Sequence, residues 1–302
     1  MKHIFIVNPV AGHGLAEKTY QPQILSFLKD SGLEYEIHRS LNKQEIGTYI
    51  KQRAAVGDDI RFYAIGGDGT LCDVVNGAIG FPNAEVAALP SGTGNDFVRN
   101  FTGKENFFDL KKQVNGKAVP VDVIKCNDFY SINMLNIGAD CEVVVKAASY
   151  KKMSGSMSYA RGALAVLPKG PKYRMAYTDE NGEEHEEDLL LAAIGNGHFC
   201  GGGFKSCPKA SLQDGLMDVV LVRPVVGLKL FKMLLKYHQG THLESAEADE
   251  LIKFMQVSKF RLRAIDSVSV SVDGEVLPFT EGDISIIPGA IKFVIPEGSE
   301  MI

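Results

Sequence analysis

Apolar and polar positions follow different patterns in the two halves of the chain. Up to about residue 122, short apolar runs alternate with longer stretches that carry apolar residues at helical spacing. The predicted strands cover residues 3–7, 34–39, 60–65 and 85–89, and the predicted helices cover residues 15–30, 43–56, 71–79 and 94–101. Alternating strands and helices are typical of a parallel sheet, so this half is predicted to be a parallel α/β domain.

Short β-type runs dominate from about residue 121 onward. They cover residues 121–126, 129–136, 173–179, 186–195, 216–222, 259–263, 267–272, 284–287 and 291–295. Asn181-Gly182 has the composition of a hairpin turn, and helical patterns interrupt the β runs only near residues 143–166 and 225–239. The second half is therefore predicted to be a mostly antiparallel sandwich.

Composition narrows the class of protein. The 302 residues are 45% hydrophobic, no apolar run approaches 18 residues, and the first residues read as a strand and not as a signal peptide. Five cysteines without C-x-x-C spacing are expected to be reduced thiols, which predicts a cytoplasmic protein. A net charge of −5 argues against nucleic-acid binding.

Glycine-rich turns follow three strands of the first half. The turn after residues 60–65 has Gly66, Gly67 and Gly69 around Asp68 and precedes a predicted helix. Glycines let the backbone approach a ligand closely, and the unpaired N–H groups that open a helix attract phosphate. The turn predicts chemistry on a phosphate ester, although an ordinary strand-to-helix turn would have the same composition.

The other two turns strengthen this interpretation. Residues 87–97 repeat the order of strand, glycine turn and helix, with hydroxyl and cap-forming side chains in the turn, and residues 8–14 follow the first strand. The carboxyl ends of parallel strands meet at one edge of a sheet, where open α/β sheets bind ligands. We therefore expect one nucleotide to be held by all three turns.

Motifs along the whole chain resemble the diacylglycerol kinase catalytic-domain family, which includes sphingosine and ceramide kinases. The motifs are Asn8-Pro9 with Gly12, Gly66-Gly-Asp-Gly-Thr70 with Asn76-Gly77, Gly92-Thr-Gly-Asn-Asp-Phe97, Asn133-Met-Leu-Asn-Ile-Gly138, Gly195-Asn-Gly197, Gly201-Gly-Gly203, Cys207-Pro208, Asp214-Gly-Leu216 and Val272-Asp-Gly-Glu275. Their order is most similar to that of the small bacterial-type lipid kinases. NAD kinases and phosphofructokinases also carry the Gly-Gly-Asp-Gly turn, and the later motifs separate this chain from them.

The resemblance implies an NAD kinase-like α/β domain at residues 1–122, to which a final strand at about 290–302 returns. It also implies a β-rich, lipid-acceptor and metal-binding domain at residues 123–289, with the site in the cleft between the domains. The implied activity is ATP-dependent transfer of the γ-phosphoryl group to a lipid hydroxyl, with Mg²⁺, during transient contact with a membrane surface. A homodimer is left open.

Nucleotide-binding residues are implied by motif position. They are Asn8, Ser40, Gly66, Gly67, Asp68, Gly69, Thr70, Gly92, Thr93, Asn95 and Asp96. Ser40 stands where the family often has Thr, and the change keeps the hydroxyl.

Catalytic and metal-binding residues are also implied by the resemblance. A lipid hydroxyl needs a proton acceptor, for which Asp273 is the first candidate and Glu275 and Asp68 are rivals. A structural magnesium is implied at Asp214, with main-chain oxygens of Ser211 and Leu216. Without the resemblance, Asp214-Gly215 and Asp273-Gly274 would pass for ordinary turns.

Two alternatives to a lipid kinase remain open: a kinase for a soluble acceptor such as NAD, and a nucleotide-binding regulator without turnover. The segment 225–237 adds a further question. It combines a broad apolar face with Lys229, Lys232 and Lys236, which fits either core packing or docking on a membrane.

Overall fold

The computed structural model describes residues 1–29, 31–150, 155–179, 181–245 and 248–302. The chain forms two compact units, residues 1–122 with 288–302 (unit 1) and residues 123–287 (unit 2). The helices are α1 Ala11–Lys29, α2 Lys43–Ala54, α3 Asp68–Ala78, α4 Leu110–Val114, α5 Ala139–Ala148, α6 Gly155–Val166, α7 Gly227–Gln239 and α8 Ala248–Leu251.

The strands fall into the two patterns that the sequence predicts. They are β1 Lys2–Val7, β2 Tyr35–Arg39, β3 Ile60–Gly66, β4 Ala84–Pro90, β5 Lys117–Cys126, β6 Phe129–Ser131, β7 Met134–Gly138, β8 Tyr173–Thr178, β9 Glu184–Leu189, β10 Leu191–Gly195, β11 Met217–Val222, β12 Ile252–Val257, β13 Lys259–Val272 and β14 Glu275–Ile295. Parallel strands at the start and antiparallel strands later confirm the predicted fold class.

Unit 1 contains a parallel sheet in the order β14–β4–β3–β1–β2. Strand β3 is buried along its whole length, as expected for a central parallel strand. The last part of β14 joins this sheet where Lys292 and Phe293 pair with Glu85 and Val86. Aromatic packing around Phe293 by three phenylalanines fixes the returning segment.

Unit 2 contains antiparallel strands in the order β12–β11–β10–β7–β13–β14. The hairpin of β8 and β9 pairs with β13 through β8, and its turn includes Gly182 at φ +82°. The hydrophobic core of unit 2 lies between its strands and helices α5, α6 and α7.

Several predicted elements differ from the observed ones. Residues 94–101 form only a short 3₁₀ turn, Phe97–Asn100, because Asn95 adopts φ +49° and ends any helical path before it. The runs 284–287 and 291–295 belong to one strand, β14, which begins at Glu275. The helical pattern near 143–166 contains two helices, and residues 151–154 of that pattern lie outside the described residues.

Candidate functional site

The three glycine turns of unit 1 contact one another through their backbones. A Cβ atom on Gly92 would lie 2.5 Å from the Cα of Gly67, and one on Gly12 would lie 2.2 Å from the carbonyl oxygen of Ser91. Real side chains cannot approach backbone so closely, so glycine is required at these contacts. The turns after β1, β3 and β4 are thereby held together at the carboxyl edge of the sheet.

Asn8, Gly66 and Thr70 form one of these contacts. The Asn8 amide donates to the Thr70 hydroxyl at 3.0 Å, and its Oδ1 accepts from the N–H of Val10. A Cβ on Gly66 would lie 2.2 Å from the Thr70 Oγ1. Helix α3 begins directly after Gly67, so the N–H groups of its first turn lie beside this contact.

Asp68 is the first residue of α3 and is partly buried. Its Oδ1 accepts from the N–H of Phe97 at 3.0 Å, in the turn after β4. Burial raises the pKa of Asp68 above its ordinary value, while backbone N–H donors and Arg99 oppose the rise. A cation or a hydrogen-bonding hydroxyl near this carboxylate would relieve the penalty of burying its charge.

Asp96 lies close to Asp68 on the other side of Gly94. A Cβ on Gly94 would lie 3.1 Å from Asp68 Oδ2 and 3.3 Å from Asp96 Oδ2. The buried Asp96 carboxylate forms an ion pair with Arg99 at 3.3 Å. The structure therefore brings two carboxylates to the glycine turns, in an arrangement that suits metal-bound phosphate better than phosphate alone.

The remaining residues assigned to nucleotide binding have different surroundings. The Asn95 side chain closes its own turn by bonding both the N–H and the carbonyl of Gly92. The buried Ser40 hydroxyl donates to the carbonyl of Val7 at 3.3 Å. Thr93 is exposed on the turn, and nothing lies within 4 Å of a Cβ on Gly69. The last two positions leave the most room for a ligand.

The acidic turn between β13 and β14 in unit 2 contains Asp273 and Glu275. Asp273 is buried at φ +46°, and its carboxylate accepts from the Ser131 hydroxyl at 2.7 Å. It also accepts from three consecutive backbone N–H groups, those of residues 132, 133 and 134. Glu275 is partly exposed and opens β14. The geometry thus gives Asp273 a clear positioning task for the segment before β7.

The predicted metal site lies on the turn before β11. Asp214 is exposed and its Oδ1 accepts from the N–H of Leu216 at 2.9 Å, while Ser211 is partly buried. Nearby Asp218 is buried, and its Oδ2 has no hydrogen-bond partner among the described residues. Burial raises the pKa of Asp218 to about 6. The charge of Asp214 adds to this rise, and a hydrogen bond from the Gln256 amide opposes it.

This donor set fits a hard divalent cation. Carboxylate and main-chain carbonyl oxygens are the ligands that Mg²⁺ accepts, and a cation would offset the repulsion between Asp214 and Asp218. A different cluster, Asp179 with Glu183 and His185, has ligand atoms within 4.8 Å of one another. There the Lys253 ammonium lies 3.4 Å from Asp179, so the cluster already contains a cation.

Sequence reasoning missed one candidate, Asp140, at the start of α5. It faces a small cavity of about 30 Å³ lined mainly by aliphatic side chains of α6, α7 and the strands. Tyr159 donates to its Oδ1 at 2.6 Å, and its Oδ2 has no hydrogen-bond partner within the described residues. Burial raises the pKa of Asp140 to about 6. An acidic residue two positions after the Gly138 motif was the available signal.

Two family models match the chain in sequence. The diacylglycerol kinase catalytic domain matches residues 2–126, and the YegS C-terminal NAD kinase beta sandwich-like domain matches residues 133–295. The first match contains the three glycine turns, and the second contains the turns of Asp214 and Asp273. None of the helices in the part of the chain that the structure describes is long and apolar enough to cross a membrane.

Individual relatives agree with the two matches. A protein of Alcanivorax borkumensis named "Probable lipid kinase YegS-like" is 29% identical over 242 residues, which are 78% of this chain and 79% of that protein. The "Diacylglycerol kinase" of Bacillus subtilis is 25% identical and covers 97% of this chain and 95% of its own.

A crystal structure of a diacylglycerol kinase from Bacillus anthracis str. Sterne has the same fold. It superposes with a TM-score of 0.71 at 21% identity, over 98% of this chain and 97% of that one. The sequence matches show the family: the chain belongs to the bacterial-type lipid kinases that join a diacylglycerol kinase catalytic domain to a YegS C-terminal NAD kinase beta sandwich-like domain.

Proposed function

We propose that the protein transfers the γ-phosphoryl group of ATP to a hydroxyl of a lipid such as diacylglycerol, at a membrane surface. The observation that carries the proposal is the backbone contact between Gly67 and Gly92, which places two phosphate-type turns beside the carboxylates of Asp68 and Asp96. The names of the relatives support a lipid acceptor.

The nucleotide is assigned to unit 1. Backbone N–H groups of the glycine turns and of the first turn of α3 hold the phosphates, and Thr93 supplies a hydroxyl. Asp68 and Asp96 would hold the Mg²⁺ that accompanies ATP. When bound, this ion neutralises the charge that develops on the transferred phosphoryl group. The oxygen of the acceptor forms the new P–O bond as the bond to the β-phosphate oxygen breaks, and ADP leaves.

The proton of the acceptor hydroxyl is assigned to a carboxylate of unit 2. Asp273 was the first candidate from the sequence, and that role stays a prediction. Its oxygens accept from Ser131 and three backbone N–H groups, so its lone pairs are largely engaged. The partly exposed Glu275 is better suited to take up a proton, with Asp273 as the residue that fixes the turn.

A second Mg²⁺ is assigned a structural role at Asp214, with the carbonyl oxygens of Ser211 and Leu216. The burial of Asp218 near the charge of Asp214 supports this assignment, because a cation nearby would compensate both carboxylates. This ion would tie the turn before β11 to its strand.

A direct assay tests the proposed reaction. The purified protein is incubated with radiolabelled ATP, Mg²⁺ and mixed micelles of diacylglycerol, with NAD as the competing acceptor. We expect a labelled phospholipid, and we expect Asp68→Asn to lower the rate at least about a hundredfold, the lower range for a group of this kind. Labelled NADP would show a soluble-acceptor kinase. ATP binding without turnover on any acceptor would show a regulator.

A lipid-extract screen read by mass spectrometry then identifies the acceptor. Diacylglycerol, phosphatidylglycerol, sphingoid bases and prenols differ in the product mass after phosphorylation. One product that appears with the wild type and is absent with Asp68→Asn names the substrate.

A further inference from the structure

Helix α7 has two apolar faces, and only one of them is packed. Leu230, Met233 and Tyr237 are buried in the core of unit 2. Leu228, Phe231 and Leu235 have the same spacing on another side of the helix and are 70%, 51% and 51% exposed. Packing therefore accounts for one face of the predicted amphipathic segment and leaves the other unexplained.

The charge on α7 has a single sign. The helix carries Lys229, Lys232 and Lys236 and no acidic residue. Lys232 is exposed next to Phe231, whereas Lys229 pairs with Glu250 at 2.7 Å. The residue before the helix, Val226, is also an exposed apolar side chain at 60%.

We propose that the outer face of α7, formed by Val226, Leu228, Phe231, Lys232 and Leu235, docks on an anionic lipid bilayer. This inference rests on the proposed lipid substrate, which requires the enzyme to reach a membrane. A row of large apolar side chains next to the exposed Lys232 matches a surface whose interior is apolar and whose headgroups are negative. A negative bilayer attracts Lys232, and the apolar side chains insert at the headgroup boundary.

The sequence offers a clean probe, because the chain contains no tryptophan. Phe231→Trp places a single indole on the outer face of α7, and Leu25→Trp places one at a 47% exposed leucine of α1 as the matched control. On vesicles containing phosphatidylglycerol, the emission of Phe231→Trp should shift to shorter wavelength and be quenched by brominated acyl chains. The control emission should stay unchanged.

Vesicle sedimentation measures the strength of docking. Replacing Leu228, Phe231 and Leu235 together by Gln keeps helix propensity and removes the apolar row, which should weaken binding at least about tenfold. Lys232→Gln should weaken binding about fivefold on anionic vesicles and have no effect on neutral ones. Leu25→Gln should bind like the wild type.

Each other outcome overturns the inference. No sedimentation of the wild type rules out docking, and sedimentation without a Phe231→Trp shift places docking elsewhere on the molecule. If the indole is already shielded without lipid and the molar mass of the protein in solution rises with protein concentration, this face is an interface between two copies. Sedimentation and indole emission need no turnover, so the two proposals fail separately. Vesicle binding without lipid phosphorylation would refute the proposed function alone. Phosphorylation of a short-chain acceptor without docking would refute this inference alone.

Discussion

The glycine turns of unit 1 and the acidic residues of unit 2 are built in opposite ways. In unit 1 the contacts that shape the candidate site are made by backbone, as where Gly92 meets Gly67. In unit 2 the corresponding contacts are made by carboxylate side chains, as where the buried Asp273 accepts four hydrogen bonds. A backbone site depends on the absence of side chains, while a carboxylate site depends on what surrounds each side chain.

This difference has a practical consequence for interpreting substitutions. Adding one methyl group at a glycine contact changes geometry directly. Removing one charge in unit 2 can change either chemistry or stability, because a buried carboxylate with many donors contributes to both.

The largest effect is expected at the β13–β14 turn, where two neighbouring carboxylates have different surroundings. Glu275→Gln should lower kcat by roughly two to four orders of magnitude, the contribution of a general base, with little change in Tm. Asp273→Asn should destabilise the fold by about 2–4 kcal/mol, because an amide cannot accept from four donors. Transfer kinetics and urea unfolding measure the two effects.

The reverse result would restore the prediction made from sequence. If Asp273→Asn remains as stable as the wild type and loses kcat, while Glu275→Gln stays active, the base is Asp273. If both variants stay active and only Asp68→Asn is inactive, the proton acceptor lies in unit 1.

Two glycines of unit 1 test the backbone side of the comparison. Gly92→Ala should lower stability by about 2–3 kcal/mol and weaken ATP binding, because its Cβ would lie 2.5 Å from the Cα of Gly67. Gly69→Ala meets no atom within 4 Å in a helical position, so its stability should be unchanged or up to about 1 kcal/mol higher. Thermal unfolding measures the stability of the two variants, and calorimetric titration measures their affinity for ATP. Equal stability losses would mean that the turns are more pliable than their contacts indicate.

The pH dependence of stability tests Asp140. Its pKa is raised from 3.8 to about 6, so the folded protein holds this proton more tightly than the unfolded chain does. Ionisation then favours unfolding, and stability falls as pH rises from below 3.8 through about 6. Relative to Asp140→Asn, the wild type should lose about 2–3 kcal/mol between pH 4 and pH 7. A constant difference between the two proteins across this range would contradict the shift.

Magnesium should give the smallest effect, at Asp214. An ion that binds only the folded state stabilises it, by about 1.4 kcal/mol at ten times its Kd. Mg²⁺ without ATP should therefore raise the Tm of the wild type, and Asp214→Ala should lose this response. Asp179→Ala serves as the matched control, since it removes an acidic residue of the other cluster. A Tm response that is lost in the control and kept in Asp214→Ala would move the ion to that cluster.

Much of the architecture could be predicted from the sequence, and the reasons are local. The strands of unit 1 appear within a residue or two of their predicted bounds, because a buried parallel strand such as β3 is a continuous apolar run. Strand β14 was predicted only in pieces. The alternation of apolar and polar residues in this strand is interrupted by Pro278, Gly282 and the charged residues around them.

The candidate site, like the fold, was predicted from the sequence only in part. Glycine turns after strands are visible in the sequence, and their adjacency follows from parallel pairing. Asp140 was missed, because its surroundings come from Tyr159 and from side chains of α7 that are distant in sequence. The roles of the individual site residues remain predictions that the experiments above can test.

The return of the chain to unit 1 has a consequence for its biosynthesis. The Lys292 ammonium donates to the carbonyl of Pro82, 210 residues earlier, and Gly298 and Ser299 bond to Asn106. On the ribosome, β4 must wait with an unpaired edge until all of unit 2 has emerged. The half that contains the glycine turns is therefore translated first and completed last, and rapid folding of unit 2 shortens the interval in which the open edge of β4 is exposed to mispairing.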